Sequence, residues 1–425
     1  MGTLTHALDW VGLWWRPRAD RASIRSFRER RLRQLVAHAF GRVPYYRKLF
    51  DKAGLRPQDV RTLDDLPLIP ITTKRDVQQA PLEERIARGV EPDRCVRSIT
   101  SGSTGEPAVV LRSSTETQVL HAYRLRAQIL SGLRPADRRV FLRGNPSRKP
   151  RFYDRLRLFE QVEVDSCLDA PDILALLAPL QPDVVRGQPQ TLSRLAEVAG
   201  DSDLAHVRPR LIFSGADTLT PQFRRRISEA FGSTIVDFYG TDEFDLLAWE
   251  CKRCGQYHTC DDSVIVEIVA GGQVAEPGQE GRVIVTGLHS LAMPFLRFDV
   301  GDIARRPVER APCPIGFESM EQPLGRSRDF LPLPGGGALS HSSILLGLEE
   351  LEGLGRFQVV QTALDEVIVY YEPLPGYAGN LAARIERRCR QIFPARLSFQ
   401  TRSAGESILW AEKRRVIQAY TGAKL

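Results

Sequence analysis

Between residues 109 and 243, short apolar runs alternate with segments whose apolar positions recur at spacings of three and four. VVLRSS (109–114), RRVFLRG (138–144), RLIFSGAD (210–217) and STIVDFYGTDE (233–243) read as strands, the last two running into polar turns. ETQVLHAYRLRAQILSGL (116–133) and PQFRRRISEAFG (221–232) read as helices, the second closed by Gly232. DILALLAPLQPDVVRGQPQTLSRLAEVAG (172–200) supplies helix, short strand, turn and helix. Strand–helix–strand order of this kind predicts parallel pairing. Upstream, residues 21–41 are helical in pattern and VPYYRKLF (43–50) enters another short helix. LPLIPITTKRDV (66–77) is punctuated by proline and starts a helix at Thr72 or Thr73 through hydroxyl capping.

The pattern changes near residue 260. DSVIVEIV (262–269) and EGRVIVTGL (280–288) flank a glycine-rich turn and read as antiparallel strands. From 329 onward the order is a glycine-rich hairpin (334–340), a helix, strands around FQVVQTALDEVIVYYE (357–372), a second helix and a final strand. This βαββαβ-like order predicts a small α+β unit. The expected fold class is therefore α/β: a large N-terminal domain, residues 1–328, with mixed sheets, and a small α+β C-terminal domain, residues 329–425. No internal repeat or low-complexity tract interrupts it.

Composition adds limits. The 425 residues are 42% hydrophobic and 26% charged, as in an ordinary globular protein. The net charge of +7 is carried largely by arginine, as in RPRADRASIRSFRERRLRQL (16–35). A basic surface suits nucleic acid, an anionic cofactor or an acidic protein, and solvated helix faces give the same charge. No aromatic–basic recognition motif is present, so no nucleic-acid partner is expected. No apolar run reaches the length of a membrane span. The N-terminal apolar patch has its charges after it, the wrong order for a signal peptide. Trp10, Trp14 and Trp15 are expected to pack against the body. Seven cysteines with no secretion signal predict a reducing, cytoplasmic setting.

Candidate chemistry lies in the polar turns. SITSGSTGEP (98–107) concentrates hydroxyls and glycines before a strand, a composition that cradles phosphate or simply forms a turn. It lacks the glycine–lysine pair of a Walker loop. Similar turns recur at SGAD (214–217), YGTDE (239–243) and RFDVGD (297–302). Ligands of open α/β sheets bind beyond the carboxyl ends of strands. Asp217, Glu243 and Asp302 at such ends suit ribose hydroxyls or Mg²⁺, and each taken singly also suits a turn or cap.

TSGSTGEP (100–107) resembles the phosphate loop of adenylate-forming enzymes. YGTDE resembles their aromatic-Gly-x-Thr/Ser-Glu motif, RFDVGD their Arg-aromatic-x-x-Gly-Asp motif, and GRSRD (325–329) their hinge. VPYYRKLF, LPLIPITTKRDV, SGAD, AWEC-x6-H (248–258) and TGLHSLAMPFLRFDVGD (286–302) resemble the phenylacetate–coenzyme A ligase family in particular. The resemblance spans nearly the whole chain in order. It implies ATP-dependent carboxylate activation through an acyl-adenylate, with Mg²⁺, and transfer to the thiol of coenzyme A or of a carrier-protein phosphopantetheine. It also implies a mobile small domain and an aryl acid as substrate. By the same resemblance Ser101, Gly102, Ser103, Thr104 and Gly105 would cradle the ATP phosphates. Gly215, Ala216 and Asp217 would line the adenine side, with Asp217 where the family has Glu. Tyr239, Gly240, Thr241 and Asp242 would form the turn around the nucleotide, with Tyr239 near the adenine. Glu243 would help hold Mg²⁺ and Asp302 would accept the ribose hydroxyls. Arg326 would sit near ribose or phosphate, and Asp329 would be the hinge.

Two positions depart from the family. Asp242 replaces Thr or Ser, and a carboxylate there would repel phosphate unless it binds metal or points away. The catalytic lysine of the C-terminal domain falls in ILWAEKRRVI (408–417), which lacks the usual preceding glycine. Lys413 is the candidate; another register puts Glu412 there, and a surface charge is the third reading. Around the acid, HAYRLRAQ (121–128) and FLRGN (141–145) are expected to line the pocket, with Arg124 and Arg143 as candidates to meet a carboxylate or phosphate.

Cys251, Cys254, His258 and Cys260 follow C-x2-C-x3-H-x-C spacing, with Cys313 further on, which suits tetrahedral structural zinc rather than free thiols. The family resemblance implies a Cys, a His seven residues later and a late C-x-C. Cys251, His258 and Cys313 match, Ile315 stands where the second late cysteine belongs, and Cys254 or Cys260 would substitute. Cys95, Cys167 and Cys389 are expected to be buried small hydrophobes. The expected partners are a small-molecule carboxylic acid, an acyl carrier protein if coenzyme A is not the acceptor, and a second copy in a homodimer. Competing readings are an adenylyltransferase or degenerate nucleotide-binding relative, and a zinc-stabilised basic binding protein without ligase activity.

Overall fold

A computed structural model describes residues 12–99, 109–144, 146, 159–326, 331–334, 338–339, 344, 347–348, 351–374, 376–403 and 417–418. The chain forms two compact units. The first comprises Met1–Leu219, Arg226–Val300 and Ala304–Pro323; the second comprises Thr220–Arg225, Gly301–Ile303 and Leu324–Leu425. Among the described residues no helix is long and apolar enough to cross a membrane.

The first unit opens with α1 (Arg21–Arg42), capped by Asp20, whose carboxylate accepts the Ser23 N–H at 2.8 Å. Its buried positions Phe27, Leu32, Leu35, Val36 and Ala39 keep the three-and-four spacing. Two of its neighbours in the arginine-rich stretch are not on a solvated face. Arg16 and Arg28 are buried and reach Asp262 and Asp261 at 3.7 and 3.8 Å. α2 (Pro44–Lys52) follows, then β1 (Thr72–Thr73) and α3 (Lys74–Gln79). Thr73 caps α3 in a reciprocal box with Asp76, so the hydroxyl-capped start is at Thr73.

β2 (Val96–Ile99) and β3 (Val109–Arg112) pair antiparallel on either side of the TSGSTGEP segment, and α4 (Ser114–Leu130) follows. The central strands are β4 (Arg139–Arg143), β5 (Gln161–Asp165), β6 (Val184–Gly187), β7 (Leu211–Gly215) and β8 (Thr234–Tyr239). They pair parallel in the order β5-β4-β6-β7-β8, as strand–helix alternation predicts. Beyond β8 the sheet turns antiparallel through β9 (Ala248–Glu250), β10 (Tyr257–Thr259) and a short strand at Ser319–Met320. A second sheet pairs Val264–Ala270 antiparallel with Glu280–Gly287, as the glycine-rich turn between them predicts. Phe213 and Phe238 on the parallel strands share one core with Tyr123 and Ala127 of α4 and with Phe244, Phe295 and Phe298. That face of β4–β8 is therefore the inner face of the unit.

Trp14 and Trp15 do not pack into this core. They are 47% and 54% exposed, and Leu13 is the buried residue of that turn; Trp10 lies outside the described residues.

The second unit has its own core. Strands Leu354–Ala363 and Glu366–Pro373 form an antiparallel pair, and Ser398–Ser403 adds parallel to the second. The helix Leu381–Ile392 buries Leu381, Ile385 and Cys389 at i, i+4 spacing against them. Cys389 is buried as expected, whereas Cys95 is half-buried and Cys167 exposed.

Candidate functional site

The parallel register puts Gly215 opposite Phe238, so the SGAD and YGTDE turns leave neighbouring strands at the same edge. Gly215 has no room for a side chain, because a Cβ there would stand 2.8 Å from the Phe238 carbonyl oxygen. Ala216 takes a left-handed φ of 72°, which turns the chain sharply and leaves Asp217 exposed. The Asp217 carboxylate accepts the Thr218 N–H at 2.8 Å. After Tyr239 the chain bends through Gly240, where a Cβ would collide with the backbone carbonyl oxygen of Asp245. Asp245 is left-handed, with φ 70°, and donates its N–H to the Thr241 carbonyl at 2.8 Å.

Asp242 and Glu243 point in different directions from this turn. Asp242 is exposed. Glu243 is 8% exposed and lines a small pocket with Lys74 and the apolar side chains of Val109, Val110, Phe295 and Phe298. Two arginines brace the turn. Arg124 of α4 forms an ion pair with Asp245. Arg112 of β3 is buried and donates to the Asp242 carbonyl. Burial lowers its pKa, opposed by Glu243, Asp242 and Glu116. Arg112 carries no signal in the sequence, because a strand-end arginine does not reveal which loop it will reach.

Asp302 lies in the second unit, in the strand Phe298–Arg305. There it stands opposite Arg326 in an antiparallel bridge, and Leu324 donates to the Ile303 carbonyl at 2.8 Å. Gly301 beside it has φ 82°, the left-handed conformation that suits glycine. Ser101, Gly102, Ser103, Thr104, Gly105, Asp329 and Lys413, and the side chain of Arg326, lie outside the described residues.

Four of the five metal candidates converge. The ligand atoms of Cys251, Cys254, His258 and Cys313 lie within 4.8 Å of one another. Cys251 follows β9, and a tight turn, with Gly255 N–H to the Cys251 carbonyl at 2.8 Å, brings Cys254 back toward it. His258 on β10 presents Nε2 at 3.6 Å from Cys254 Sγ and 3.2 Å from Cys313 Sγ, and Cys251 Sγ is 3.7 Å from Cys313 Sγ. A tetrahedral ion with bonds of about 2.0–2.3 Å spaces its ligand atoms about 3.3–3.8 Å apart, so the residues fit zinc. Burial raises the Cys251 thiol, but hydrogen bonds from His258 and from the Arg253 and Cys254 N–H groups outweigh it and hold the pKa at about 6. Burial pushes Cys254 up to about 12, with the Cys251 charge adding to it. A divalent ion removes that conflict by stabilising both thiolates.

Cys260 does not join them. The chain turns just past β10, with Ser263 N–H to the Cys260 carbonyl at 2.7 Å. The turn buries the Cys260 thiol 3.4 Å from Arg126, which is itself buried in a two-pronged pair with Asp262 at 2.5 and 2.8 Å. Burial drives the Cys260 pKa up.

No family model matches the chain. It is 28% identical over 374 residues to a phenylacetate–coenzyme A ligase of Thermus thermophilus, covering 81% of this chain and 80% of the relative. It is 28% identical over 330 residues to the Escherichia coli enzyme of the same name, covering 73% of each. Its fold is that of a 2-hydroxyisobutyryl-CoA ligase crystallised in a postadenylation state, with a TM-score of 0.79, 20% identity, and 96% of this chain and 90% of that one covered. In sequence the chain is thus similar to phenylacetate–coenzyme A ligases over most of its length, and its fold is that of a coenzyme A ligase.

Proposed function

We propose that the protein joins a carboxylic acid to the thiol of coenzyme A at the expense of ATP. The observation that carries this reading is the pair of turns at the edge of β7 and β8, which exposes backbone groups beside one buried carboxylate, Glu243. In the first half-reaction a carboxylate oxygen of the acid attacks the α-phosphorus. The bond to the bridging oxygen breaks, and pyrophosphate leaves with the electron pair. In the second, the thiolate attacks the acyl carbonyl and AMP departs. Charge gathers on phosphate oxygens in the first step, so preorganised donors and cations lower its barrier.

Each residue then has one task. Ser101, Gly102, Ser103, Thr104 and Gly105 offer hydroxyls and N–H groups to the β- and γ-phosphates. Gly215, Ala216 and Asp217 face the adenine, and Tyr239 gives it a flat apolar surface. Glu243, held by the Arg112-braced turn, supplies the carboxylate for Mg²⁺. Asp302 accepts the ribose hydroxyls, Arg326 serves the ribose or the phosphate, and Lys413 brings a cation to the α-phosphate. Residues 1–328 and 329–425 act as body and moving lid. Cys251, Cys254, His258 and Cys313 hold a structural zinc that fixes the segment after YGTDE and takes no part in the chemistry. The small-molecule acid is aryl, and coenzyme A is preferred to a carrier protein because the relatives and structural neighbours are named as coenzyme A ligases.

The test is to supply Mg·ATP, coenzyme A and a panel of aryl and aliphatic acids, and to measure AMP and acyl thioester together. Equimolar AMP and thioester with at least one acid is expected. ATP binding without AMP release across the panel would overturn the reading. Asp302→Ala should weaken ATP binding by at least about 100-fold, since two charge-assisted hydrogen bonds of about 1.5–3 kcal/mol each are lost.

A further inference from the structure

The inner face of the central sheet carries a concentration of arginine that the reaction above does not use. Phe141 of β4 stands beside Glu163 of β5 and Arg186 of β6 in the parallel register, and Arg186 stands beside Phe213 of β7. In-register neighbours project from the same face, and Phe213 fixes that face as the inner one. Arg139 and Arg143 lie two residues either side of Phe141 on the same strand, so they share the face.

Two of these guanidinium groups lie against one ring. The Arg186 guanidinium carbon is 4.3 Å from the Phe141 centroid and that of Arg143 is 5.6 Å. Arg143 reaches Glu163 at 3.7 Å and is 46% exposed. Arg139 is satisfied by the Glu160 and Phe159 carbonyls. Asp165, opposite Arg143 in register, is turned onto the Cys167 N–H at 2.9 Å. Among the described residues Arg186, half-buried, has neither a hydrogen bond nor an ion pair. Its environment opposes its charge: burial first, then Arg143 and Arg139, with Glu163 acting the other way, bring its pKa down to about 10. A cation held in that way without a counter-ion destabilises the fold unless something anionic arrives.

Position says what arrives. Arg186 is one residue before Gly187, the carboxyl end of β6, and Gly187 is in register with Ser214 of the SGAD turn. The arginine pair is thus at the ligand-binding edge, two strands (Arg186) and three strands (Arg143) from the turn that carries Glu243. We propose that Arg186 and Arg143 select an acid substrate that carries a second anionic group, distinct from the carboxylate that reacts, with Phe141 stacking on its flat apolar body. This rests on the ligase reading and narrows its substrate class. The two guanidinium groups supply forked donors suited to a carboxylate, and the wall between them is apolar.

The test compares phenylacetate and benzoate with 4-carboxyphenylacetate and phthalate, in the wild-type protein and in Arg186→Leu. The wild type should favour the dianionic acids by at least tenfold in kcat/KM, and the substitution should cut that preference at least fivefold. Equal use of both classes by the wild type, or a preference unchanged in Arg186→Leu, overturns the proposal. Arg186→Lys, which keeps the charge, should retain part of the preference and serves if the leucine variant does not fold. Melting-temperature shifts with each acid alone, without ATP, read the same discrimination independently of turnover. A shift given only by the dianionic acids, and lost in the Arg186 variant, supports the arginine pair even if no acid is turned over. Absence of turnover would count against the ligase reading alone. Equal shifts with all four acids would overturn the pair.

Discussion

His258 Nε2 lies 3.2 Å from Cys313 Sγ across 55 residues of chain, and Cys254 Sγ approaches the same nitrogen at 3.6 Å. The late cysteine that the family pattern calls for is absent, and the β9–β10 turn supplies Cys254 in its stead. The protein should therefore purify with one zinc per chain. Cys254→Ser should lose the metal or bind it far more weakly, with a fall in melting temperature, while Cys260→Ser should keep it. Metal analysis and thermal melting of both variants check this, and metal loss in Cys260→Ser alone would refute the assignment.

Gly240 is tied to the Asp245 carbonyl oxygen, which occupies the space any Cβ would need. Gly240→Ala must push the YGTDE turn away and carry Glu243 with it. Small displacements of positioned groups cost about 100-fold in rate. AMP formation should fall by that order while circular dichroism stays native, and wild-type turnover in Gly240→Ala would contradict the role given to this turn.

Glu116 anchors α4. One carboxylate oxygen accepts the N–H groups of Leu291 and Ala292, the latter at 2.8 Å, and the other accepts that of Ser113 at 2.7 Å. Glu116→Ala leaves the buried Ala292 N–H and the Leu291 and Ser113 N–H groups without their carboxylate, and loss of charge-assisted bonds costs about 1.5–3 kcal/mol each where water does not replace them. Urea unfolding should show a loss of about 3–5 kcal/mol, with Glu116→Gln losing less. A loss below about 1 kcal/mol would mean that the anchor is not needed.

Asp183 is held below its usual pKa of 3.8, first by the Arg138 side chain and then by the Arg138 N–H at 2.8 Å. A depressed carboxylate adds stability above its unfolded pKa and loses it as pH falls through the folded value. Stability should thus decline on acidification below about pH 4, and Asp183→Asn should flatten that decline. An identical acid profile in wild type and variant would contradict the assignment.

The parts legible in the sequence were those with local causes. Apolar runs ending in polar turns marked β7 and β8, and the capping chemistry of Thr73 and Asp76 marked the start of a helix. Spacing limited the metal ligands to five residues. It could not choose Cys254 over Cys260, because the choice depends on a turn that carries Cys260 to the Arg126–Asp262 pair. Likewise a composition of arginines could not separate Arg124, paired with Asp245, from Arg186, left facing Phe141. The exposure of Trp14 and Trp15 reversed the packing expected from their size, since apolar character does not by itself ensure a cavity.

The most direct test of the central claim is acid-dependent exchange of labelled pyrophosphate into ATP, measured with Mg²⁺ and without coenzyme A. An acyl-adenylate pathway predicts exchange that requires the acid and stops in Asp302→Ala. A protein that binds ATP, is fully folded and zinc-loaded, and shows no acid-dependent exchange with any acid of the panel would contradict it.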